Sequence, residues 1–162
     1  MTKLIIDADT GSDDAVAILM AYRNLSEKDI LGVTVVSGNV PLEQGLLNTI
    51  FVNELCDVSV PIYRGASKPL ERDYVEVYKT DEANKIALSY ENYSTSAQHV
   101  HGVDGLGDIG IKPEGNNIEK ETAQEFYSMV LDSEEEVEIV TLGPLTNIAE
   151  VVRNNSDKLS KI

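Results

Sequence analysis

The chain has 162 residues, of which 42% are hydrophobic and 25% charged, a globular composition long enough to bury a core and neither disordered nor collagen-like. Its formal net charge of −15 argues against nucleic-acid backbones and anionic membranes as partners, since both would be repelled. The single cysteine, Cys56, excludes an intrachain disulfide and a cysteine-rich zinc site, and it falls in an apolar helical pattern as a small core residue.

The first apolar run, Lys3-Leu4-Ile5-Ile6, ends in acidic residues and predicts a buried strand. It is too short for a signal sequence, and no stretch approaches membrane-spanning length, so an intracellular, cytoplasmic protein is expected. Gly11-Ser12 offers a turn and an N-cap, and a helix follows through Ala15, Val16, Ile18, Leu19, Met20 and Tyr22. A second strand is expected over Ile30 to Val36, ending at Ser37-Gly38-Asn39. Pro41 opens a second helix with Leu42, Leu46, Leu47, Ile50, Phe51 and Leu55 as its apolar face. Val60-Pro61-Ile62-Tyr63 predicts a third strand.

Beyond it, Glu71 to Gln98 is polar, carries four tyrosines and suggests a helix near Glu82 to Tyr90, and His99 to Gly110 reads as a glycine-rich loop. Thr122 to Leu131 predicts a helix, Val137 to Leu142 a strand, and Leu145 to Val152 a final helix. Glu134-Glu135-Glu136 reads as a solvated turn. The alternation of strands and helices implies one α/β domain over residues 1–162, with a parallel, Rossmann-like sheet covered on both faces. Ligands of such sheets gather at the carboxyl ends of the strands, where Asp7, Asp9 and Asn39 all fall.

The chemistry is concentrated in Asp7-Ala8-Asp9-Thr10-Gly11-Ser12-Asp13-Asp14, which places four carboxylates in eight residues. In an extended segment Asp7 and Asp9 point the same way, and the turn at Gly11 brings Asp13 and Asp14 back beside them. Such a cluster repels itself unless a cation compensates. Calcium suits it because it takes several oxygens in flexible geometry, whereas magnesium keeps more water and demands a stricter octahedron. For Asp13 and Asp14 alone, a helix N-terminus is an equally good reason to be acidic.

An EF-hand is excluded because its glycine and glutamate positions, counted from Asp7, hold Ser12 and Ile18. A phosphatase of the haloacid-dehalogenase type shares the strand and the Asp-x-Asp pair. It expects Thr or Val where Gly11 stands and has no use for Asp13-Asp14, and so remains a minor alternative.

The segment Asp7 to Ala17, DADTGSDDAVA, resembles the D-x-D-x-G-x-D-D-A signature of the inosine–uridine-preferring nucleoside hydrolases. Gly32 to Asn39 (GVTVVSGN), Lys68-Pro69-Leu70, His101 to Gly107 (HGVDGLG) and Leu142 to Ala149 (LGPLTNIA) resemble further segments of that family in the expected order. Glu71 to Gln98 is longer than its counterpart.

The resemblance implies that Asp9, Asp14 and the backbone carbonyl of Leu142 ligate Ca2+, and that Asp9 is also the general base. It implies that Asp13 holds a ribose hydroxyl, Asn39 lines the ribose side, Asp7 supports the cluster from behind, and His101 lies toward the nucleobase. The expected activity is hydrolysis of the N-glycosidic bond of a ribonucleoside to base and ribose.

Family members are considerably longer. The region without a counterpart here supplies another calcium-binding Asp, a leaving-group histidine and further ribose contacts, so a chain inactive alone is one expectation. A non-catalytic domain that binds ribose or a cation, or pairs with another subunit, is the alternative. The resemblance and an uncovered sheet edge both point to a homo-oligomer.

Overall fold

The computed structural model describes residues 2–70, 97–133 and 136–155. The helix expected over Glu82 to Tyr90 therefore lies outside the described residues, as do Glu134 and Glu135 of the acidic turn. The elements are β1 (Lys3–Ala8), α1 (Ser12–Asn24), β2 (Ile30–Val35), α2 (Leu42–Cys56), β3 (Ile62–Arg64), α3 (Gln98–His101), β4 (Ile118–Thr122), α4 (Ala123–Asp132), β5 (Val137–Thr141) and α5 (Thr146–Asn154). A single 3-10 turn, Glu27–Asp29, leads into β2.

The strands form one parallel sheet in the order β4-β3-β2-β1-β5. Strand β1 is central, with β2 on one side and β5 on the other. The chain winds outward from β1 to β4 and then crosses back to lay β5 on the opposite flank. This puts a topological switch point between the carboxyl ends of β1 and β5, where open α/β sheets form their ligand crevice.

Alternation along each strand divides the core in two. Ile6, Ala8, Val33, Val35 and Ile62 pack with Ile18 and Tyr22 of α1 and with Leu46, Ile50 and Val52 of α2. Ile5 and Tyr63 pack on the other face with Phe126, Tyr127 and Leu131 of α4 and Val151 of α5, where the rings of Tyr63 and Phe126 stack at 3.9 Å. Helix α4 begins with a reciprocal cap: Thr122 Oγ1 accepts from the Glu125 N–H, and the Glu125 carboxylate accepts from the Thr122 N–H at 2.7 Å. Cys56 is a half-buried free thiol at the edge of the first cluster.

The apolar face expected of α2 is rotated. Leu47 and Leu55 are exposed, and the helix buries Asn48, Thr49 and Asn53 instead. These polar residues are buried because each closes a hydrogen bond to another element. Asn53 accepts from the Tyr22 hydroxyl at 2.7 Å and donates to the Val60 carbonyl at 2.8 Å. Thr49 Oγ1 lies 2.8 Å from Thr10 Oγ1, and Asn48 Nδ2 donates to the Thr10 carbonyl at 2.8 Å.

Truncating such a residue strands its partners, and each stranded group costs about 1–3 kcal/mol. Asn53→Ala is therefore expected to destabilise the fold by about 2–6 kcal/mol in urea unfolding, since both the Tyr22 hydroxyl and the Val60 carbonyl lose a partner. A loss below about 0.5 kcal/mol would show that neither bond matters to the fold.

Strand β4 has no counterpart among the expected elements. Ile118-Glu-Lys-Glu-Thr carries one apolar residue, and it is a strand because it pairs at the sheet edge, where charged side chains face solvent. Among the described residues no helix is long and apolar enough to cross a membrane.

Candidate metal and ribose site

Strand β1 ends at Ala8, and this ending separates the four carboxylates. Asp7, still in the strand, shares a face with Ile5 and turns under α4 and α5. Asp9 has left the strand, so strand alternation no longer governs its direction. The expectation that Asp7 and Asp9 point the same way into one four-carboxylate concavity is corrected. Among the described residues, no group of three or more acidic, histidine or cysteine side chains gathers as a metal cluster.

Asp7 is fully buried. Its Oδ2 accepts from Thr34 Oγ1 at 2.5 Å, from Asn147 Nδ2 at 2.8 Å and more distantly from the Tyr127 hydroxyl at 3.4 Å. Thr34 is the residue opposite Asp7 in the β1–β2 register, and its hydroxyl also meets Tyr127 at 2.9 Å. The other oxygen, Oδ1, is buried with no hydrogen-bond partner among the described residues. Burial raises the Asp7 pKa to about 6, against the hydrogen bonds from Thr34, Asn147 and Tyr127 that lower it.

Asp9 and Asp14 form a pair. Asn39 joins them, its backbone N–H donating to Asp9 Oδ2 at 2.6 Å and its Nδ2 to Asp14 Oδ2 at 3.0 Å. Asp14 also accepts from the Gly11 N–H at 2.9 Å, reaching back over the first turn of α1. The N-cap is thus Gly11, one residue before the expected Ser12. Burial, then the charge of Asp14, then that of Asp13, push the Asp9 pKa to about 6, against the Asn39 N–H. Burial, with the charge of Asp13, raises that of Asp14 too.

Two glycines make room for Asp9. A Cβ on Gly38 would fall on the Asp9 carboxylate, and one on Gly143 would lie 2.8 Å from Asp9 Oδ1. Gly143 directly follows Leu142, whose N–H continues the ladder past β5 by donating to the Asp7 carbonyl at 2.7 Å. The Leu142 peptide therefore belongs to the segment that borders Asp9.

Asp13 stands at the mouth with its side chain 77% exposed, 3.9 Å from Nδ1 of His101. His101 itself is buried, and its Nδ1 lies 2.8 Å from Ser12 Oγ.

The fold thus brings Asp9, Asp14 and Asn39 together, sets Asp13 and His101 on the rim, and holds Asp7 apart in its own network. Sequence reading missed Asn147 as a partner of Asp7, placing it only within the final helix, and it missed Tyr127, Thr34 and Asn48 altogether. The available signal was polar side chains standing at core positions of a strand and three helices.

The donor set fits a hard cation. It comprises two buried carboxylates, Asp9 and Asp14, whose charges repel each other, while the unpartnered Oδ1 of Asp7 belongs to the separate network with Thr34, Tyr127 and Asn147.

Residues 4–162 match the sequence profile described as inosine-uridine preferring nucleoside hydrolase. Uridine nucleosidase 1 of Arabidopsis thaliana is 36% identical over 162 residues, which are 99% of this chain and 42% of that protein. The pyrimidine-specific ribonucleoside hydrolase RihB of Escherichia coli (strain SE11) is 30% identical over 161 residues, 99% of this chain and 45% of that one. Among solved structures, an inosine-guanosine nucleoside hydrolase superposes with a TM-score of 0.77 at 32% identity, covering 100% of this chain and 46% of its own. The chain thus spans less than half the length of the relatives it matches.

Proposed function

Because the chain belongs to the inosine-uridine preferring nucleoside hydrolase family, we propose that it carries the metal and ribose side of a ribonucleoside N-ribohydrolase site. The observation that carries this reading is the Asp9–Asp14 pair, buried at the switch point and bridged by Asn39. Two raised carboxylates in one place are costly without a cation, and ribose offers cis hydroxyls to fill the rest of a coordination shell.

In this reading Asp9, Asp14 and the Leu142 carbonyl would hold calcium. When bound, the ion supplies Lewis acidity and an oxygen-rich coordination shell. The remaining steps belong to the protein and the substrate. Asp9, with a pKa about 6, is ionised at neutral pH and accepts a proton from the attacking water. The water oxygen bonds to C1′ as the C1′–N bond breaks, and the base leaves with that electron pair and gains a proton. Positive charge that develops on the sugar ring is stabilised by the surrounding carboxylates. Asp13, at the mouth, accepts from a ribose hydroxyl. Asn39 has its N–H2 end on Asp14, so its carbonyl end is the one that meets the sugar.

The test is release of free base from inosine and uridine, followed with added calcium and after chelation. Calcium-dependent release of ribose and base in equal amounts is the expected outcome. A second reading, binding of a cation and ribose without turnover, is favoured by the gathering of only two carboxylates where calcium takes six to eight oxygens. Calcium uptake with no base release would select it. Phosphate release from a phosphomonoester would overturn both.

A further inference from the structure

Ser12 occupies a position that the acidic signature leaves open, and it does not cap α1. Its hydroxyl is spent across 89 positions of sequence, 2.8 Å from Nδ1 of His101. His101 closes α3, and the loop after it is fastened to the same acidic segment. Asn48 Nδ2 donates both to the Thr10 carbonyl and to the Asp104 carbonyl, each at 2.8 Å. Gly105, at φ +79°, passes so close to Val40 and Asn48 that no side chain fits, and the Gly107 N–H returns to the His101 carbonyl at 2.7 Å. The imidazole is therefore fixed at its backbone and at one ring nitrogen.

A neutral imidazole carries one N–H and one lone pair, and the bond made by one nitrogen decides what the other can do. Asp13 Oδ1, 3.9 Å from Nδ1, favours a proton on that nitrogen. The N-terminus of α1 opposes it with about half a positive charge, the weaker of the two influences.

We propose that Ser12 is a positioning residue for His101: it accepts a hydrogen bond from Nδ1–H and leaves Nε2 as the lone-pair nitrogen offered to a ligand N–H or O–H. The use of that lone pair in catalysis rests on the hydrolase reading; the tautomer does not.

The test is a two-bond 1H–15N correlation spectrum of the labelled, metal-free chain at a pH where the rings are neutral. The chain has only two histidines, and the exposed His99 is an internal reference. His101 is expected to carry its proton on Nδ1. Ser12→Ala should move it to the tautomer mixture of His99, and Ser12→Thr should restore it, with the amide spectrum elsewhere unchanged. In base release, Ser12→Ala should lower kcat/KM about tenfold, the scale set by partners that orient a functional group, and Ser12→Thr should recover it. A proton on Nε2 in the unaltered chain, or identical ring shifts in Ser12→Ala, would overturn the positioning role whatever the turnover. A chain that releases no base but shows the Nδ1–H tautomer would sink the hydrolase reading and leave the tautomer standing.

Discussion

Asp9→Asn is expected to lower base release by about two to four orders of magnitude, the usual contribution of a general base, while leaving the fold intact. The substitution is isosteric, and the amide oxygen of Asn still accepts from the Asn39 N–H that anchors Asp9 Oδ2. What is lost is the ability to take a proton, together with one of the two charges that would hold calcium. Asp14→Asn separates these roles. It keeps acceptors for Gly11 and Asn39 but removes the carboxylate whose charge, after burial, does most to raise the Asp9 pKa.

Asp14→Asn should therefore demand more calcium for half-maximal release and, at saturating calcium, move the acidic limb of the pH profile to lower pH. Asp9→Asn should lose turnover at any calcium concentration. Initial rates over pH and calcium, with calorimetric titration of calcium as a readout independent of turnover, distinguish the two. Retention of activity within tenfold in Asp9→Asn would remove Asp9 from the chemistry.

What made the site legible was local. The acidic segment, the strand before it and the helix after it lie within 24 residues, and short-range pattern and turn chemistry suffice to place them. The central strands β1 and β2 were legible for the same reason, as short, largely apolar runs ending in polar turns.

What was not legible depends on partners distant in sequence. Asn48, Thr49 and Asn53 broke the expected face of α2 because their partners lie on β1–α1, α1 and the approach to β3. Tyr127 reads as one more apolar position of α4 until Thr34 and Asp7 are seen beneath it, 93 and 120 residues away. Strand β4, with its charged side chains, has no pattern of its own and exists through its edge pairing with β3. Ser12 was misread for the complementary reason: a strong local preference for capping gave way to a histidine 89 positions on.

The Asp7 network predicts an inverted pH dependence. Most acidic side chains that shift on folding move down and stabilise the folded state as pH rises. Asp7 moves up, to about 6 from 3.8, because burial outweighs three hydrogen bonds. The folded chain thus holds a proton that the unfolded chain has already released. Stability is full below the unfolded pKa and is lost as pH rises through the folded one. At 1.36 kcal/mol per unit the full loss is about 3 kcal/mol, with about half of it falling between pH 5 and pH 7.5. Asp9 adds in the same direction.

Urea unfolding of the metal-free chain should accordingly give lower stability at pH 7.5 than at pH 5, and Asp7→Asn, which has no proton to lose, should reduce the difference to the share that Asp9 and Asp14 contribute. Calcium at a hundred times its Kd should add about 2.7 kcal/mol at neutral pH to either form, if the ion sits on Asp9 and Asp14 and Asp7 only supports them. Loss of the calcium increment in Asp7→Asn would mean instead that the orphaned Asp7 oxygen is itself a ligand. Parallel pH curves for the two chains would mean that the buried carboxylate is ionised at little cost, contrary to its surroundings.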